Sequence, residues 1–324
     1  MKREFLMSVV SVLALGGLFT VGAYAGGGRG IDPIVSTDWL SAHSAEVVIL
    51  DIRSPADYAA GHIPGSLNEP FATAFDPTCR GPSSNWIVGS KDCLWLQLPE
   101  TEDLFKTIGN LGMTEDSSVV IVTAPNPNEP PYFGLANATR VADTLIYAGV
   151  KKVAILDGGY PKWGAERKPT SKDVPKVNPT TYNNKVNKGM FVSIEYVRKH
   201  IGKAFIVDAR DAEVYFGVAI EPFAPKAGHI PTATSLPTPW MWKSNPDGTY
   251  VYRDKETLRE VASGVIGKSR DKEIIVYCGV GGYASSWWFV LTQALRYQDV
   301  RIFDGSIQEW SKDPKAPMTK YSWR

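Results

Sequence analysis

The chain is short of cysteine and of net charge. Its 324 residues include three cysteines, Cys79, Cys93 and Cys278, and 35 Lys and Arg stand against 34 Asp and Glu, leaving +1. A near-neutral balance, with no basic stripe and no acidic tail, argues against a chain-wide electrostatic role on nucleic acid or an acidic membrane. No Cys/His cluster has metal-ligand spacing, so neither a metal nor a cofactor is expected. The phosphatase and arsenate reductase pattern Cys-x5-Arg, which grips a tetrahedral oxyanion with a bidentate guanidinium, is missing as well. Six residues after Cys278 stands Ala284, and the next arginine is Arg296.

What remains is ordinary globular composition, 44% hydrophobic and 21% charged. The length suits two domains of roughly 100–200 residues each. The N-terminus differs: a short basic start precedes the apolar run "LMSVVSVLALGGLFTVGAYA", which ends in the small-x-small site Ala23-Tyr24-Ala25. Residues 1–25 therefore read as a secretory signal, cleaved to release a periplasmic protein. If uncleaved, the same run is long enough to anchor the protein in a membrane. In that oxidising compartment Cys79 and Cys93, 14 residues apart in a stretch rich in Gly, Pro and Ser, are expected to form a disulfide. It would stabilise the fold by ~3 kcal/mol. Cys278 is then left unpaired for chemistry.

An internal repeat sets the architecture. "VVILDIRSPADYAAGHIPGS" returns as "FIVDARDAEVYFGVAIEPFAPKAGHIPTA". Each copy has a β-branched run ending in Asp-x-Arg (Asp51/Arg53 and Asp208/Arg210), then an aromatic residue, then Gly-His-Ile-Pro. Asp to Gly spans 20 residues in the second copy against 10 in the first. Each copy ends in a strand-to-turn signature with Asp and Trp six apart, "VAILDGGYPKW" and "VRIFDGSIQEW". Short apolar strands alternating with helical stretches predict an α/β fold, two tandem domains that are each a mostly parallel sheet flanked by helices. A Pro-rich polar linker near 170–185 divides residues 32–170 from residues 186–320. Because both copies carry the Asp/Arg pairs and His62 or His229, these are expected to be structural.

The copies differ at one place. After its strand "EIIVY" the second has Cys278, where the first has Ala124 and a Pro/Asn-rich loop. "CGVGGYA" also fits the dinucleotide fingerprint G-x-G-x-x-A, but only one strand and a short tail follow it, leaving no room for a cofactor crevice. The thiol reading fits better. The strand delivers Cys278 to the sheet's C-terminal edge, and Gly279, Gly281 and Gly282 permit a turn with φ > 0. Amides of Gly279, Val280, Gly281, Gly282 and Tyr283 can then converge on the sulfur at the start of a helix. All of this favours thiolate and an anionic persulfide. Burial alone would not ask for three glycines in the next four residues.

With these blocks in place, the chain resembles the tandem-domain rhodanese family of sulfurtransferases (thiosulfate and 3-mercaptopyruvate sulfurtransferase-like) over about residues 32–320. The resemblance implies an inactive first domain and a catalytic second one. It implies double displacement: a donor such as thiosulfate, mercaptopyruvate or polysulfide leaves sulfur on Cys278, and cyanide, a thiol or sulfite removes it. A non-enzymatic persulfide or selenium carrier, delivering to a partner protein, is the alternative, and a monomer is expected. The loop departs from the thiosulfate-specific subgroup, which has basic residues where Gly279 and Val280 stand. Tyr283 replaces the mercaptopyruvate subgroup's Thr. Cationic help for an anionic donor must then come from elsewhere. Lys188 falls where relatives place a linker arginine, and Lys226 beside the Gly-His-Ile block is a second candidate. Trp240, Trp242, Tyr283, Trp287 and Trp288 read as core residues rather than a pocket.

Overall fold

The computed structural model describes residues 30–76, 79, 81–125 and 130–323. The expected signal, residues 1–25, lies outside the described residues.

Two five-stranded parallel sheets are built to one plan. In the first, Ile34–Val35, Lys152–Leu156, Ser118–Val122, Val48–Asp51 and Leu67–Asn68 lie side by side in that order. In the second the matching order is Phe191–Val192, Val300–Phe303, Ile274–Tyr277, Phe205–Asp208 and Thr234–Ser235. The central strands are apolar through their middles because helices cover both faces, and Val119 to Val122 and Ile274 to Tyr277 are fully buried.

The repeated motif is one hydrogen-bonded unit. Arg210 Nε and Nη2 bind both oxygens of Asp208, and Nη2 also donates to the Gly228 carbonyl at 2.7 Å. Arg53 does the same with Asp51 and the Gly61 carbonyl. The next residue, His62 or His229, stacks on Tyr58 or Tyr215 and pairs through its backbone with Ser171 or Thr319. The signature tryptophans close the same tails, Trp163 Nε1 donating to the Pro169 carbonyl and Trp310 Nε1 to that of Pro317. The structural reading of these pairs and histidines agrees with this geometry.

The segment expected as a linker is tied to the first domain. Thr180 N donates to the Gly109 carbonyl and Tyr182 Oη to that of Ala148. Cys79 and Cys93 form the disulfide, in a segment that includes the hairpin Ala74–Asp76 and Gly81–Ser83.

The domains join through helix Pro131–Tyr147 of the first and helix Gly282–Phe289 of the second. Thr139 and Ser286 share a hydrogen bond there at 2.8 Å. Arg140 is completely buried and reaches Asp304 at 2.8 Å and the Leu96 carbonyl. Beside it, Gln308 clamps Trp95 by accepting from its N and donating to its carbonyl, both at 2.9 Å. The first domain is thereby fastened to the Asp304 turn, on which the cysteine loop rests.

Candidate active site

Cys278 follows strand Ile274–Tyr277 and is 2% exposed, on the wall of a cavity of about 760 Å³ between the domains. Gly281 N donates to its Sγ at 3.1 Å, and the amides of Val280 and Ala284 also bond the sulfur. Of the three loop glycines only Gly281 takes positive φ, at +97°. Gly279 is close-packed instead, since a Cβ there would meet Glu221 Oε1 and lie 2.8 Å from Phe223 Cζ, so a side chain would have to push both aside. Gly282 meets neither requirement. The conformational freedom expected of all three is therefore used at one.

The turn after strand Val300–Phe303 holds the loop from behind. Ile307 N donates to the Cys278 carbonyl and Gln308 N to that of Gly279. Ser306 sits at φ +51°, where the first domain has Gly159 at +56°. A side chain there is strained, but the Ser306 hydroxyl accepts from Cys278 N at 3.2 Å and donates to the Phe303 carbonyl. Strain is kept where it fixes the cysteine backbone.

Burial pushes the Cys278 thiol above its ordinary pKa, and the nearby Glu221 carboxylate pushes the same way. The amides of Ala284, Val280 and Gly281 pull it down but do not win. The amide nest is present as expected, yet burial and Glu221 oppose it, because desolvation outweighs a few peptide dipoles. Alkylation of Cys278 by iodoacetamide should accordingly keep rising through and beyond the usual thiol range as pH increases. Glu221→Gln should move that profile to lower pH. A wild-type midpoint at or below the usual thiol value would contradict this.

Equivalent positions of the two copies face each other across the cavity. Arg53, Ala124 and Pro125 belong to the first domain, and Arg210, Cys278 and Gly279 to the second. Phe133 meets Tyr283 edge to face at 5.4 Å, and Trp95 meets Phe223 at 5.5 Å. Tyr283, expected in the core, instead lines the cavity because the inter-domain gap opens beside the cysteine loop, and its carbonyl is held by Thr238 Oγ1 at 3.1 Å. Trp242, Trp287 and Trp288 are core residues, whereas Trp240 is exposed.

The lysines are elsewhere. Lys188 is exposed on the connection between domains and does not line the cavity. Lys226 donates to the carbonyls of Asp313 and Ala316, which fastens the second domain's C-terminal segment. Among the described residues the guanidiniums that do line the cavity, Arg53 and Arg210, belong to the repeated pairs and serve the fold at the same time. Glu221 and Phe223 were missed because they lie in the second copy's ten extra residues, which had no counterpart for comparison. The insertion itself was the available signal. Burial pushes the Glu221 carboxyl up to about 7, against the pull of Arg210.

Known proteins agree with this geometry. The model of the rhodanese-like domain matches residues 36–166 and again 193–313. The sulfur carrier protein TtuD of Thermus thermophilus is 30% identical over 306 residues, covering 89% of this chain and 96% of TtuD. SseA of Mycobacterium tuberculosis, whose name provisionally assigns it as a thiosulfate sulfurtransferase, is 30% identical over 311 residues, 92% of this chain and 93% of SseA. Among solved structures, an EanB variant carrying a cysteine persulfide superposes with a TM-score of 0.72 over 90% of this chain and 71% of that one. At 21% identity it shares the fold. Two repeats with one plan, a cysteine loop in the second alone, and a family match across both domains lead to one conclusion: the chain belongs to the rhodanese family as a tandem-domain member.

Proposed function

We propose that this protein is a sulfurtransferase that carries sulfane sulfur on Cys278. The observation that carries the reading is the buried sulfur held by the amides of Val280, Gly281 and Ala284 on the wall of an inter-domain cavity. The Cys278 thiolate attacks the outer sulfur of a donor such as thiosulfate, mercaptopyruvate or polysulfide. A new S–S bond forms as the donor's bond to that sulfur breaks, and the remainder of the donor departs with the electron pair. In the second half, a thiol, cyanide or sulfite attacks the outer sulfur and Cys278 leaves as thiolate. The nest then does its work, because the amides stabilise negative charge on whichever sulfur bears it. The first domain, with Ala124 at the equivalent position, supplies the facing wall of the cavity.

Incubation with polysulfide or thiosulfate should make the protein one sulfur atom heavier at Cys278, and cyanide should remove that mass. Cys278→Ser should neither gain the sulfur nor transfer it. Full transfer by that variant with every donor would end the reading. A carrier that passes sulfur to a partner protein is the second reading, favoured by the resemblance to TtuD. It is told apart by slow turnover with small acceptors despite rapid loading. The Cys79–Cys93 disulfide supports placing the mature protein in the periplasm, with residues 1–25 as its signal.

A further inference from the structure

The cavity has an electrostatic character that the cysteine loop alone does not reveal. Among the described residues two guanidiniums line it, and each is already balanced. Arg53 is held by Asp51 at 2.6 Å, while Arg210 is held by Asp208 at 2.6 Å and by Glu221 at 3.2 Å. Asp57 and Asp211 also line the cavity, so among the described residues its two guanidiniums stand against five carboxylates, three on its wall and Asp51 and Asp208 behind it. No lysine lines it. Glu221 leans over Gly279, the residue next to the sulfur, where its charge opposes any anion approaching Cys278. A small dianion would enter a site whose cations are already paired.

Much of the rest of the lining is apolar, with Ser54, Thr123 and Asn137 among it. Phe71, Trp95, Leu96 and Phe133 come from the first domain and Phe223 from the second. A volume of about 760 Å³ is that of a site for a sizeable organic molecule, and a donor as small as thiosulfate would fill only a fraction of it. The apolar wall faces Cys278 across the gap, so a substrate's sulfur can meet the thiol while its carbon body lies on the rings.

We propose that the sulfur partner of Cys278 is an organic thiol or persulfide with an aromatic or alkyl body and no carboxylate, and that Glu221 disfavours small anionic donors by occupying Arg210. This rests on the sulfurtransferase reading. The exchange is balanced without an added oxidant. The partner's thiolate attacks the outer sulfur of the Cys278 persulfide, an S–S bond forms to it, the enzyme's S–S bond breaks, and Cys278 leaves with the electron pair. The product is the partner's persulfide, and the reverse direction loads Cys278 from such a persulfide.

The test loads Cys278 with inorganic polysulfide and follows loss of the added sulfur by mass spectrometry. Phenylethanethiol and mercaptoacetate are compared at equal thiolate concentration. Phenylethanethiol should unload the enzyme about tenfold faster or more, the smallest gain expected from burying an aromatic ring. Phe133→Ala should narrow that preference. Glu221→Gln, which releases one face of Arg210, should speed loading by thiosulfate about tenfold. Equal rates with the two thiols, or thiosulfate loading unchanged in Glu221→Gln, would overturn the proposal while leaving sulfur transfer standing. Failure of both inorganic polysulfide and phenylethyl persulfide to place any sulfur on Cys278 would instead sink the sulfurtransferase reading, and this proposal with it.

Discussion

Arg140→Ala is expected to destabilise the protein by about 3–5 kcal/mol, the usual cost of removing one partner from a buried ion pair. The lower end is the better guide, because Asp304 retains some exposure and a hydrogen bond from Leu98 N at 3.3 Å. Three groups lose their partner at once. The Asp304 carboxylate is left without its cation, and the Leu96 carbonyl without its donor. Asp143, already pushed well above the carboxylate range by burial, loses the guanidinium that pulls its pKa down. All of this happens at the contact between domains, so urea unfolding should also become less cooperative, with the halves separating before either melts. Sulfur loading at Cys278 should slow as well, because the Asp304 turn carries Ser306, Ile307 and Gln308, which hold the cysteine loop. A single unchanged transition shifted by less than about 1 kcal/mol would show that the apolar contact of the two helices suffices.

Cys79→Ser combined with Cys93→Ser is expected to cost ~3 kcal/mol, the chain-entropy value for a loop of this length. The loss should also reach the active site. Trp95, which walls the cavity, donates from Nε1 to the Cys79 carbonyl at 2.8 Å, and Lys312 donates to the Cys93 carbonyl at 3.3 Å. Untying the segment loosens a wall that faces Cys278. Thermal denaturation should register the stability change, and mild dithiothreitol treatment of the wild type should reproduce it. Unloading rates with an apolar thiol should fall while those with sulfite change little. If neither stability nor rate moves, the Gln308 clamp on Trp95 alone fixes the segment.

These expectations separate what was legible from what was not. The duplicated plan was readable because Asp-x-Arg, Gly-His-Ile-Pro and the Asp-to-Trp signature are short-range units whose partners lie within one copy. The cysteine was readable for the same reason, since its nest is made by the residues that follow it. Even there, the chemistry of the loop was read in part. Its amides do face the sulfur, but the sign of the pKa shift depended on burial by the other domain and on Glu221. The roles of the glycines divided in a similar way. Gly281 answers to its own backbone, whereas Gly279 answers to Glu221 and Phe223, more than fifty residues away in the chain.

Arg140 shows the opposite case. It stands in "GLANATRVADTLIYAGV", where a charged pair three residues apart in a helix of small and apolar residues hints at a buried polar contact. Its partners, Asp304 and Leu96, were unreadable because they are brought to it only by the packing of one domain against the other. The lysines illustrate the converse: Lys188 and Lys226 were reasonable sources of positive charge along the chain, but the fold directs them away from the cavity. The cations it places there instead are the arginines of the repeat.

The sequence by itself determined two α/β units, which of them bears the thiol, and the disulfide pairing, because local periodicity, turn chemistry and cysteine count decide those. Only the tertiary structure decided what surrounds the sulfur. A cavity between domains is a long-range object: its charge, its apolar wall and the burial that pushes the Cys278 thiol up arise from residues distant in the chain, and their mutual desolvation exists only once the two halves have packed.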